Sequence, residues 1–155
     1  MRRKDREITD SKRIDAFIAE EQILRVAFYD EGDIYIVPVN YGYSCENGNY
    51  TFFFHGAKAG RKYDLAKAEP KVGFEIDGKY KLLEGENACE FSAIFQSVIG
   101  TGTLCPVSSK EEKIQGLNAI MKQTTGKSEW AYEDTMLEAV AVFRLKVEKM
   151  SCKAK

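Results

Sequence analysis

The chain has a single histidine, His55, between Phe52-Phe53-Phe54 and a glycine-punctuated cationic run, Gly56-Ala57-Lys58-Ala59-Gly60-Arg61-Lys62. Gly56 and Gly60 let the backbone approach a ligand closely and take positive φ. Backbone N–H groups in such a turn, leading into a helix, favour an anion. Arg61 offers a planar fork for phosphate oxygens and Lys62 a mobile point charge. A mono- or dianionic phosphate suits this set. A solvated loop is the competing reading, because two glycines and a few cations also describe an ordinary surface turn. His55, ending the preceding strand, could donate a hydrogen bond or move a proton, or pack as a neutral ring.

Two further stretches offer neutral groups for a heterocycle. In Val37-Pro38-Val39-Asn40-Tyr41 the Asn40 amide can read a heteroaromatic edge and Tyr41 can flank a ring. Gln96 and Ser97 stand together on a strand, with the solvent face of that strand as the alternative. No pattern supports nucleophilic catalysis: there is no G-x-S-x-G and no second histidine. Redox chemistry would therefore need a cofactor.

The elements that must carry these residues are mostly strands. Runs rich in branched and aromatic residues predict strands over 23–29, 33–43, 50–55, 71–77, 92–104 and 140–147. Pro38 cannot donate to a ladder, so its strand belongs at an edge or carries a bulge. Gly100 and Gly102 suggest a bulge or close backbone approach. Asn47-Gly48 is a hairpin turn signal, and the first three strands read as an antiparallel meander. Helices are expected over 10–20, over 62–68, and from the Ser108/Ser109 capping pattern to about residue 123. Residues 79–90 read as a long loop, and Cys152 as part of an exposed polar tail. Six mostly sequential strands close most easily as a small barrel with short flanking helices. The expected class is therefore mainly β (α+β), one domain over 1–155.

A net charge of -1 favours neither nucleic acid nor an anionic membrane. The start, MRRKDRE, lacks the apolar stretch of a signal peptide, and no segment is apolar for long enough to span a bilayer. A cytoplasmic protein is the expectation. The four cysteines are scattered without C-x-x-C spacing, which fits reduced thiols and gives no metal set.

Taken in order, MRRKDREITD, YIVPVNYGY, FFFHGAKAGRKYDLAKAEPKVGFEID, CEFSAIFQSVIGTGT and AVFRLKVEKMSCKAK resemble the 5-nitroimidazole-resistance (Nim-like) flavin-binding proteins. These belong to the pyridoxamine 5′-phosphate oxidase-like superfamily, and the resemblance covers nearly the full length. It implies a six-stranded split β-barrel and a homodimer with FMN in clefts touched by both subunits. Gly56, Ala57, Lys58, Gly60, Arg61 and Lys62 would then hold the FMN phosphate. Val37, Pro38, Val39 and Asn40 would line the isoalloxazine ring, and Gln96 and Ser97 would contact the flavin or its tail. His55 matches a histidine beside the flavin and would be the catalytic proton donor. The implied activity is electron transfer from a reduced nicotinamide or other donor to a small acceptor such as a nitroaromatic. A flavin store without turnover and a haem-binding barrel with His55 as ligand are the alternatives. Many relatives carry Ser or Cys where Gly56 stands, and Arg or Lys where Gln96 stands.

Overall fold

Tight turns with positive φ set the first long strands. Glu31 and Gly32 (φ 51° and 104°) and Asn47 and Gly48 (φ 52° and 80°) each close a two-residue hairpin. Such turns match the right-handed twist of paired strands. A computed structural model describes residues 3–155. Its elements run β1 (Glu7–Ile8), α1 (Ser11–Glu20), β2 (Ile23–Asp30), β3 (Asp33–Asn40), β4 (Gly42–Glu46), β5 (Asn49–Ala57) and α2 (Arg61–Ala66). They continue with β6 (Lys71–Leu83), β7 (Ser92–Pro106), α3 (Lys110–Thr125), α4 (Asp134–Ala139) and β8 (Val140–Ala154).

All pairings are antiparallel, and the hydrogen-bonded order is β3-β2-β6-β7-β8-β5-β4, with β1 added on β8. β3 and β4 end this order on opposite sides, yet only Tyr41 separates them in the chain. The sheet must therefore roll until its two edges approach, which makes a split barrel rather than an open sheet. Tyr41 sits at that seam, fully buried, and its hydroxyl donates to Ile18 O at 2.6 Å. Phe17 and Ile18 of α1 enter the core beside it. Gln123 of α3 donates to Ile18 O and Glu21 O, both at 2.7 Å, and so closes the end of α1. The core is aromatic: Phe52 lies 5.3 Å from Phe74, and Phe54 stacks on Phe143 at 5.0 Å.

The barrel is as expected, but several details are not. Among the described residues there are eight strands rather than six, and four α-helices rather than three. Residues 33–43 do not form one strand, because the chain turns at Tyr41. The meander holds only in part: β2 pairs with β3 and β4 with β5, but β3 and β5 do not pair, and the other edge of β5 joins β8. The segment 79–90 is no simple loop, since β6 continues to Leu83 past a bulge between Gly78 and Lys81. Cys152 is buried, 1% exposed, because β8 runs on to Ala154 and pairs there with β1 and β7. Pro38 lies on the edge strand, in unbroken register with Arg25. The bulge expected near Gly100 and Gly102 falls between Thr101 and Gly102. A Cβ on Gly102 would lie 2.2 Å from Lys146 O, so only glycine fits.

Candidate flavin-phosphate site

β5 does not end at His55 but runs through Ala57, so the turn is short, Lys58 to Gly60. Gly60 takes φ 92°, a region that favours glycine, and caps α2 without any side-chain hydrogen bond. The helix starts at Arg61, so Arg61 and Lys62 both leave its first turn, in different directions.

Arg61 is held from two sides. Its Nε donates to Asp30 at 2.7 Å, and its guanidinium lies over the Tyr35 ring at 4.8 Å. Asp30 ends β2 and Tyr35 lies on β3, so the hairpin between them grips Arg61. The Nε contact uses one donor of the fork and leaves the terminal N–H groups for another acceptor. Lys62 points the other way, its amine 5.5 Å from the centroids of both Phe54 and Phe143. Burial alone lowers its pKa below the usual lysine value. A half-buried ammonium without a carboxylate to lower its cost is a site ready for an anion.

Gly56 explains where that amine goes. A Cβ there would lie 2.9 Å from Lys62 Nζ. The missing side chain is thus the space that Lys62 occupies. His55, on the opposite face of β5, keeps part of its ring in solvent. Burial of the rest, then the Lys62 charge, lowers its pKa. The imidazole is neutral at neutral pH, able to donate from one nitrogen and accept at the other.

The structure places the remaining expected residues less tightly. Lys58 is engaged elsewhere: its amine donates to Glu138 O at the end of α4. Lys113 donates nearby to Leu137 O at 2.9 Å. Along β3 the side chains alternate, so Val37 and Val39 turn inward while Pro38 and Asn40 turn outward. Four side chains of one strand cannot all face one ring, and Asn40 donates to Gln22 O at 3.3 Å. Gln96 turns toward the interior, its amide 3.7 Å from Cys152 Sγ, and Ser97 faces outward between Asp77 and Lys153.

His55 pairs with Val142 and Gln96 with Ala154, at opposite ends of β8. That is about 40 Å of strand at ~3.3 Å per residue. One chain therefore does not bring the two groups together. A cleft of about 480 Å³, lined by residues including Ser44, Thr51, Gln115 and Arg144, contains none of the expected site residues. Sequence reasoning missed Asp30 and Tyr35. Nothing local in the sequence links Asp30 to Arg61, 31 residues away.

The antiparallel split barrel sets the class of the fold. The family profile described as pyridoxamine 5′-phosphate oxidase matches residues 10–154, and the chain belongs to that family. No curated protein matches the chain. Among solved structures, it is similar to a protein of Bacteroides thetaiotaomicron provisionally assigned to 5-nitroimidazole antibiotic resistance. The identity is 28% and the TM-score 0.81, over 96% of this chain and 86% of that one. It shares its fold with a flavocytochrome of Azotobacter vinelandii at 19% identity and TM-score 0.81, over 100% of this chain and 72% of that one. The same holds for an FAD- and haem-binding protein of Mycobacterium smegmatis at 16% and 0.82, over 97% and 73%. Among the described residues, no helix is long and apolar enough to cross a membrane.

Proposed function

We propose that this protein binds FMN as a homodimer and passes electrons from a reduced nicotinamide to a small acceptor, nitroaromatic compounds among them. The observation that carries the reading is the Arg61–Lys62 pair. One cation is preset by Asp30 and Tyr35 with its terminal N–H groups free, and the other is half-buried with no carboxylate to neutralise it. This set fits a phosphate ester. The relatives described as flavin-binding support the choice of flavin for what the phosphate carries.

Arg61 and Lys62 would hold the phosphate, and Gly60 lets the backbone turn without a side chain in the way. β3 is an edge strand, so alternate peptide groups from Val37 to Asn40 are free to meet the heteroaromatic edge. Main chain, rather than four side chains, makes that contact. When bound, FMN supplies the electron-transfer chemistry that no side-chain set here provides. His55 stands neutral on the other face of β5, within reach of the Lys62 charge. An anion bound to Lys62 would raise the imidazole pKa and make His55 a better proton donor.

Two observations support the homodimer. The outer face of β2, β3, β6 and β7 exposes Ile34 (66%), Ile36 (58%) and Ile99 (50%), with Ala27, Gly73 and the Arg25–Glu75 ion pair between them. Such a patch marks an interaction surface. The separation of Gln96 and Ser97 from His55 is also resolved if a second copy supplies the strand that carries them. The test is anaerobic reduction of the FMN-loaded protein by NADH or NADPH, then reoxidation by a nitroaromatic. Bleaching and recovery of the flavin band support the proposal; flavin that no donor reduces points to a storage module. A Soret band on haem titration that disappears in His55→Ala would favour the haem reading instead.

A further inference from the structure

Two glycines bring α3 down onto the outer face of β4, β5 and β8. A Cβ on Gly42 would lie 2.1 Å from Ala119 C, and one on Gly116 2.9 Å from Phe53 Cδ1. The helix therefore buries Phe53 and stops short of the next cross-strand row, where Ser44, Thr51 and Lys146 stand in register. Residues paired in this way share a face of the sheet. The step between helix and sheet is the 480 Å³ cleft, with Glu112 and Gln115 of α3 on one wall and Asn47 and Asn49 of the β4–β5 hairpin at one end.

Phe53 is the one apolar side chain in its lining. An apolar occupant would strip water from the other groups without replacing its hydrogen bonds. Four charged side chains line the cleft: Glu46, Glu112, Arg144 and Lys146. Arg144 donates to Glu112 at 2.5 Å and to Cys105 Sγ at 3.2 Å, which offsets that pair of charges and fixes the guanidinium in the wall. Its Nε–H takes part in neither bond. Among the described residues, Lys146 and Glu46 are in no ion pair. Glu148, further along β8, is held by Lys71 at 2.8 Å and by Thr103 at 2.6 Å. The cleft thus keeps one open cation and one open carboxylate. They lie two strands across and two residues along from each other, about 12 Å between Cα atoms for strands ~4.8 Å apart and ~3.3 Å per residue.

We propose that this cleft binds a small carboxylate whose far end carries hydrogen-bond donors, hydroxyl or ammonium. The ligand carboxylate lies at Lys146, with the Arg144 Nε–H and the Thr51 and Ser44 hydroxyls beside it. The far end meets Glu46, which only accepts, and the amides of Asn47, Asn49 and Gln115, which donate and accept. An extended chain of about six carbons, with the reach of both side chains, matches the span. A phosphate dianion fits less well, because Glu46 and Glu112 balance the two cations. The inference stands apart from the flavin reading, since neither Arg61 nor Lys62 lines this cleft.

Calorimetric titration of the full chain with gluconate, 6-aminohexanoate, hexanoate and glucose tests this. The first two carry a carboxylate and far donors, hexanoate lacks the donors, and glucose lacks the carboxylate. At least one of the first two should bind about tenfold or more tighter than both controls. Which one binds tells whether hydroxyls or an ammonium meet Glu46. Lys146→Met should weaken that ligand at least about fivefold, and Glu46→Gln should weaken 6-aminohexanoate by as much if it is the one bound. Both positions are exposed, so both variants should melt as wild type does, and their FMN affinity should be unchanged. If neither polar carboxylate outbinds hexanoate and glucose, or if Lys146→Met binds them as wild type does, the inference is overturned and the flavin reading is untouched. A wild type that takes up gluconate or 6-aminohexanoate but no FMN overturns the flavin reading, and the cleft stands by itself.

Discussion

Replacing Lys62 with Met separates stability from binding at one position. The stem of Lys62 packs over Phe54 and Phe143 with its amine 5.5 Å from each ring centroid. Met keeps that packing, since a thioether fills the same groove. What Lys62→Met removes is an ammonium whose pKa burial lowers. The sign follows from linkage. The unfolded chain binds the proton more tightly, so the charged residue costs stability at every pH below its folded pKa, and the cost disappears as pH rises toward the unfolded value. Cation–π contact returns about 0.5–1 kcal/mol of it. The flavin-free Lys62→Met protein should therefore melt at or above the wild-type temperature at neutral pH. Binding should move the other way. A charge-assisted hydrogen bond contributes about 1.5–3 kcal/mol, and each 1.4 kcal/mol is about tenfold in affinity. FMN affinity should fall about 10- to 150-fold, while riboflavin, which has no phosphate, should bind nearly as before. Fluorescence titration with the two flavins side by side, plus a thermal melt of the flavin-free protein, is the assay. Equal losses for FMN and riboflavin, or FMN affinity within twofold of wild type, would refute the assignment of Lys62 to phosphate.

Other perturbations probe the same pocket. Asp30→Ala frees the Arg61 Nε now held at 2.7 Å, so FMN affinity should fall about 2- to 12-fold by titration, for a hydrogen bond of ~0.5–1.5 kcal/mol. Asp30→Asn, which keeps an acceptor, should recover most of that loss. The His55 pKa is lowered by burial and by Lys62, so the unfolded chain protonates first as pH falls. Flavin-free stability should decline as pH drops below ~6.5 and level off below the folded pKa, and His55→Gln should remove this step from a denaturant-midpoint profile. Gly56→Ser places a Cβ 2.9 Å from the Lys62 amine. The flexible amine must move, so FMN affinity should fall severalfold in titration while the melting temperature changes little.

Local chemistry makes some of this fold readable. Asn47-Gly48 announces a primed turn, and Ser109 caps α3 by accepting from Glu112 N at 3.1 Å. Gly60-Arg61-Lys62 announces the cation pair. The tail was misread for a physical reason. Leu145 and Val147 turn inward, but the register shift opposite Thr101 and Gly102 moves the inward set to Met150 and Cys152. That breaks the two-residue period by which a strand is recognised. The bulge after Gly78 hides the second half of β6 in the same way. Strand order was illegible where it depends on distant partners: β5 meets β8 across most of the chain, and nothing near Phe52 encodes it. The site was half legible for the same reason. The cations are local, but the Asp30 and Tyr35 grip on Arg61, and the diversion of Lys58 to α4, are made by folding.

The absorption spectrum of the purified protein, followed by mass identification of whatever denaturation releases, tests the central claim most directly. A flavin spectrum with FMN released, or FMN taken up at one per chain when the protein is prepared empty, is the predicted result. A colourless protein that binds neither FMN nor any other phosphorylated flavin on titration would contradict it.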